Sequence, residues 1–150
     1  MPSTAVTGVY PCYKNQFQVE VPGSGSTAAT YKSIADLESF SVSFDNGVEE
    51  WNPFEHDGWV RRLLTSKSVT ISVTGKRNVG DAGNDFIASL AFKDGRDTEA
   101  NFKWTFPDGT VVEFAGCPIN VTELGSGEST NVGPLAFEVL SNGKPTVTPA

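Results

Sequence analysis

At 150 residues the chain has the length of a single domain and is long enough to bury a core without disulfide or metal staples. Eleven Lys and Arg against 18 Asp and Glu leave a net charge of −7, which argues against general affinity for nucleic-acid phosphates. Ten Phe and three Trp exclude disorder throughout, and no apolar run approaches the ~20 residues that cross a membrane.

The first 17 residues, MPSTAVTGVYPCYKNQF, have no basic start followed by an apolar block, so no signal peptide is expected and cytoplasmic synthesis is the default. In that setting Cys12 and Cys117 are expected as free thiols. Strict alternation begins at Phe17, Val19 and Val21, which interleave with Gln16, Gln18 and Glu20. PGSGSTAAT (22–30) reads as a flexible loop or weak edge segment. Alternation returns at Phe40, Val42 and Phe44, and Asp45-Asn46-Gly47 reads as the turn that ends this strand.

VEEWNPFEHDGWVRRLL (48–64) then breaks the pattern, with three aromatics among acids, a proline and a glycine. Alternation resumes at Val69, Ile71 and Val73, at Phe102, Trp104 and Phe106, at Val112 and Phe114, at Ile119 and Val121, and at Leu135, Phe137 and Val139. Phe106-Pro107-Asp108-Gly109-Thr110 reads as a tight hairpin, and Gly125-Ser126-Gly127 and Asn142-Gly143 as further turns. In NDFIASLAFKDG the apolar residues Phe86, Ile87, Leu90 and Ala91 form a helical stripe, with Asn84 as N-cap and Gly95 as stop. The expected fold is mainly β: seven or eight strands in an antiparallel sandwich or barrel with one short flanking helix at about residues 84–92. The chain reads as one domain over 1–150, with extended arms at about 1–15 and 143–150 and no internal repeat.

No spacing supports catalysis or a cofactor. The lone His56 lies between Glu55 and Asp57, which from an extended chain do not converge on one metal, and no Gly-x-Ser-x-Gly elbow accompanies it. Gly75-Lys76 lacks the earlier glycine and the following Ser or Thr of a phosphate loop. The run from Asp81 has Phe86 and Phe92 where a calcium loop needs Gly and Glu. No metal, cofactor or catalytic residue is expected, and the chain is not expected to be an enzyme.

Four blocks carry a resemblance: Trp59 to Leu63, Ser72 to Asp85, Trp104 to Thr110 (WTFPDGT) and Asn142 to Thr146 (NGKPT). In this order and spacing, over roughly residues 35–147, the chain closely resembles the tail tube proteins, or major tail proteins, of long-tailed bacteriophages. The resemblance implies a β-sandwich or barrel with a helix on its flank. It also implies subunits that form hexameric rings, which stack into a hollow tube conducting DNA to the host. Implied partners are further copies of itself, the tape measure protein, a tail tip or initiator, and a terminator, all in a virion assembled in the host cytoplasm. Some relatives add an immunoglobulin-like domain; with Pro149-Ala150 soon after the last strand, none is expected here.

Within that expectation residues 45–64 are the candidate loop between rings. Trp51, Phe54 and Trp59 would be anchors, because aromatics bury large area with few rotors lost. Arg61 and Arg62 would pair with acids such as Glu49 or Glu50 of a neighbour. The competing expectation is that these aromatics cap the subunit's own core, where Phe86, Ile87, Leu90, Trp104 and Phe106 are also placed. Six copies at −7 each make an anionic ring; Glu113, Glu123 and Glu138 are the candidates to face its channel, past which DNA would slide without sticking. Other ring-forming parts of a tail or contractile injection system, and a carbohydrate-binding sandwich using Trp51 and Trp59, are the alternatives.

Overall fold

The computed structural model describes residues 7–23 and 28–150. The alternating segments form eight strands: β1 (Gln16–Val21), β2 (Thr30–Ser33), β3 (Leu37–Trp51), β4 (Arg61–Lys76), β5 (Glu99–Thr105), β6 (Val111–Leu124), β7 (Pro134–Leu140) and β8 (Thr146–Thr148). All pairings are antiparallel, in the order β2-β1-β5-β6-β7-β4-β3, with β8 added to β6. The expected mainly β, antiparallel architecture with one flanking helix is what the chain forms.

Strand β6 makes this sheet double over. Its first half pairs with β5 and β8 and its second half with β7. Shortly before the changeover, where the β5 pairing shifts register, Gly116 takes φ 57°, a left-handed conformation that a side chain resists. The apolar rows of the two halves therefore face each other. Val19, Phe102 and Phe114 from one half meet Ile71, Val73, Phe137 and Val139 from the other in one buried cluster. The Phe102 and Phe137 rings lie 6.4 Å apart, edge to face.

A short helix, α1 (Ala82–Ser89), packs on β1, β2 and β6 and buries Ile87, with Leu90 just beyond it. Its boundaries differ from the expected 84–92. The N-cap is Asp81, whose carboxylate accepts from Asn84 N at 3.0 Å, and the helix stops at Leu90, five residues before Gly95. Asn84 is instead a fully buried clasp. Its Oδ1 accepts from Arg77 Nη1 and Asn78 N, and its Nδ2 donates to Ala35 O and Lys76 O. Sequence spacing marks Asn84 as the capping residue; tertiary partners for all of its amide hydrogen bonds take it inward, and Asp81 caps instead.

The Phe106–Thr110 turn closes as expected, with Phe106 N donating to Thr110 O at 2.7 Å. Trp104 and Phe106 are half-buried at the core margin, rings 4.3 Å apart, and the Trp104 indole donates to Asn15 Oδ1. In the expected arms, Cys12–Lys14 forms a 3-10 turn and Thr146–Thr148 pairs with Val111–Glu113; residues 1–6 lie outside the described part, as do 24–27 of the Gly/Ser segment. Both cysteines are free, Cys12 exposed and Cys117 buried.

Candidate assembly surface

Asp45-Asn46-Gly47 is not a turn. Strand β3 runs straight through it to Trp51, paired residue by residue with Ser68, Lys67 and Ser66 of β4. Segment 45–64, expected as an irregular loop, is therefore the outer half of a long β-hairpin. Gly47 meets the need of this pairing: a Cβ there would run into the Ser66 hydroxyl. Immediately beyond, the register shifts by one, leaving Thr65 unpaired between Gly47↔Ser66 and Val48↔Leu64, which is a β-bulge.

The third strand stops short of this region. β7 pairs with β4 only over Thr70–Lys76, so Asp45–Trp51 and Arg61–Ser68 form a two-stranded ribbon with no further strand on it among the described residues. A 3-10 turn, Phe54–His56, joins the two strands at the tip, closed by Asp57 N to Phe54 O and Trp59 N to His56 O.

The ribbon exposes what a core buries. Its face continuous with the partly buried row Phe40–Val42 carries Phe44, Val48 and Leu64, half-exposed because no further strand covers them among the described residues. On the other face sit Leu63 and Trp51. At the tip Phe54 is 102% exposed and Trp59 79%. The expectation that these aromatics cap their own core is thus corrected: among the described residues they touch no core. Phe44, Val48, Leu63 and Leu64 were missed as surface residues. Phe44 alternates with its neighbours, but alternation does not say which strand face lacks a cover, and Val48, Leu63 and Leu64 fall in the stretch where no alternation shows.

The charged candidates act within the chain. Arg62 Nε donates to Glu50 Oε1 at 2.7 Å, between directly opposed residues of the same chain, and both side chains stay more than half exposed. The Arg61 guanidinium lies 5.8 Å from the centre of the Trp51 ring, and Lys67 Nζ 5.7 Å from that of Phe44. Glu49 opposes Leu63. The structure thus gathers Glu49, Glu50, Trp51, Phe54, Trp59, Arg61 and Arg62 on one projecting element.

The three acids proposed for a channel are not gathered. Glu113 lies on the β5 side of the fold, 3.5 Å from Lys103 Nζ. Glu138 accepts from Asn120 Nδ2, and Glu123 from Ser126 Oγ, on the outer face of the β4-β7-β6 half. Among the described residues no group of three His, Cys, Asp or Glu could hold a metal ion, and no helix is long and apolar enough to cross a membrane.

No protein-family profile matches the chain, and no curated protein matches it in sequence. Solved structures match its fold over nearly its whole length. One is a chain from the tail of an empty gene transfer agent (GTA) particle with C6 symmetry: TM-score 0.68 and 20% identity, covering 93% of this chain and 99% of that one. A chain of a native GTA virion gives 0.68 at 18% identity with the same coverage. A chain of the sheath-tube complex of an extracellular contractile injection system, in its extended state, gives 0.62 at 14% identity and covers all of both chains. The fold of this chain is the fold found in these tail and tube assemblies.

Proposed function

We propose that the chain is a structural subunit of a phage-type tail tube. Copies form hexameric rings, the rings stack into a hollow tube, and DNA passes through the tube to the host. The observation that supports this best is the end-to-end fold match with chains of tail and tube particles, one of them of C6 symmetry. The ribbon supplies what such a subunit needs: an element that leaves the body of the fold and carries exposed aromatics toward another copy. A contact between unlike surfaces closes into a ring when its rotation closes, and a second, axial contact then stacks rings. The ribbon is the proposed axial contact. Its exposed apolar rows would be covered by the next ring, and its tip would anchor Phe54 and Trp59. No catalytic role is proposed. The partners would be further copies, a tape measure, a tip initiator and a terminator, in a virion tail assembled in the host cytoplasm.

A second reading has support of its own. The fold also matches a chain of the tube-terminating cap of the anti-feeding prophage at TM-score 0.58, and one of a sheath/tube terminator at 0.56. A terminator closes a tube without extending it. Negative-stain microscopy of the purified protein separates the two: long hollow tubes are expected, whereas single rings that never stack support a terminator. A protein that stays monomeric at high concentration, even when presented with tail tips, counts against both.

A further inference from the structure

The chain contains two Asn-Gly pairs, and the fold treats them in opposite ways. In such a pair the asparagine side chain is open to attack by the next backbone nitrogen, because glycine has no side chain to hinder it and turns freely. Asn46-Gly47 lies inside β3, where Asn46 opposes Lys67 and Gly47 opposes Ser66. The extended backbone of a strand carries the Gly47 nitrogen away from the Asn46 side-chain carbonyl, and the ladder holds it there. Loss of the Asn46 amide therefore needs the ribbon to open first.

Asn142-Gly143 has no such restraint. The chain is pinned just before it, where Ser141 N donates to Val69 O at 3.0 Å and Ser141 Oγ accepts from Val69 N at 2.9 Å. It is pinned again at β8, where Thr146–Thr148 pair with Val111–Glu113. Between these pins Asn142 is exposed and belongs to no strand or helix. Gly143 takes φ 85°, and a Cβ there would meet nothing. Its backbone nitrogen makes no hydrogen bond among the described residues. The segment is tied down by the Asn142 side chain, whose Nδ2 donates at 3.0 Å to the carbonyl of Gly116 in β6.

We infer that Asn142 is a self-modification site, with water as the co-reactant, and that its conversion releases strand β8. The Gly143 nitrogen, losing its proton to water or hydroxide, attacks Asn142 Cγ. The side-chain nitrogen leaves as ammonia, and a five-membered cyclic imide closes. One water then opens the ring at either carbonyl and gives aspartate or isoaspartate, with no oxidant or reductant consumed. The product is a carboxylate, ionised at neutral pH and without a hydrogen to donate. Facing the Gly116 carbonyl it sets acceptor against acceptor, so the tie to β6 is lost and a negative charge is added. Isoaspartate also lengthens the main chain by one methylene. Strand β8 is only 3 residues long and exposed throughout, so it has little else to hold it. Its release leaves Val111–Glu113 of β6 with an unpaired edge. The chemistry belongs to the chain itself and needs no assembly.

The test ages the full chain in solution at neutral and at mildly alkaline pH, in ordinary water and in water carrying heavy oxygen, and follows it by peptide mapping with mass spectrometry. The expected result is first-order conversion of Asn142 to a mixture of aspartate and isoaspartate, each with one oxygen from the solvent, and faster at the higher pH. Asn46 in the same molecules should convert at least about tenfold more slowly, because its reaction waits on local opening of the ribbon. In denaturant the two sites should approach a common rate. Conversion of Asn46 as fast as Asn142 in the native chain overturns the inference, as does retention of Asn142 over the time in which the unfolded chain loses it. Release of β8 is read by amide exchange on fresh protein, aged protein and the Asn142→Asp variant, with unchanged protection of β7 reporting an intact fold. Exchange at Thr146–Thr148 should quicken several-fold in the last two. Equal protection of these amides in all three would overturn the release.

Discussion

Glu50 and Arg62 face each other across the β3–β4 ribbon, Oε1 to Nε at 2.7 Å, and both are more than half exposed. An exposed pair in register stabilises its own hairpin only slightly, because water screens the charges and two long side chains lose freedom. A double-mutant cycle of Glu50→Ala and Arg62→Ala, followed by denaturant unfolding, should give a coupling of no more than ~0.5–1 kcal/mol. A larger value would show that the ribbon is part of the cooperative core.

The tip is expected to separate folding from assembly. Phe54 is fully exposed and Trp51 is 40% exposed, so replacing both with Ala should change monomer stability by within about ±0.5–1 kcal/mol. The same double substitution should abolish tube elongation, read by sedimentation or microscopy. Elongation that persists with both residues gone would assign the axial contact to another element.

Asn84 is expected to behave in the opposite way. Its replacement by Ala leaves the part-buried Ala35 and Lys76 carbonyls and Asn78 N without this partner, each a loss of up to ~1–3 kcal/mol. Asn84→Ala should therefore lower stability by several kcal/mol and free the helix from the β4 end, which thermal unfolding and amide exchange at 81–89 would both read.

Beside this clasp, the hydrogen bond from Arg77 and then that from Gly80 N hold the Asp85 carboxyl below its ordinary value of 3.8. A carboxyl depressed on folding adds stability that is fully present above the unfolded pKa and is lost as pH falls through the folded one. The structure thus predicts that stability declines as pH drops below about 4, and that Asp85→Asn flattens part of this decline. Carboxyl-resonance titration by NMR checks it directly: a midpoint for Asp85 at or above 3.8 would contradict the arrangement.

The two thiols should react as differently as they are placed. Cys117 is buried, its Sγ–H pointing at Ala100 O at 3.1 Å, and burial pushes its pKa up to about 12. Because the folded value is raised above the unfolded one near 9.0, this contribution to stability is present below that pH and fades as pH rises through 12. At neutral pH a thiol reagent should modify one equivalent per native chain, at Cys12, and a second only on unfolding. Two fast equivalents in native protein would place Cys117 nearer the surface.

Much of this protein is legible in one dimension. Alternation of period 2 marks β1 and β4 to β7 because each strand has one buried and one wet face, a local property of side-chain direction. The tight turn at Phe106–Thr110 and the irregular character of 52–60 are likewise local, set by Pro, Asp and Gly. What the sequence by itself leaves open is any choice between two locally acceptable partners. Asp45-Asn46-Gly47 suits a turn, yet cross-strand hydrogen bonds to Lys67 and Ser66 carry the strand through it. Asn84 suits a cap, yet four part-buried hydrogen bonds outweigh one cap bond. Phe44 and Val48 continue an apolar row, yet β7 ends at Leu140, opposite Thr70, and leaves that row bare. Only the tertiary structure decides these points, because the energy of a strand face or a polar group depends on what is packed against it. That neighbour is chosen by pairing between segments far apart in the chain.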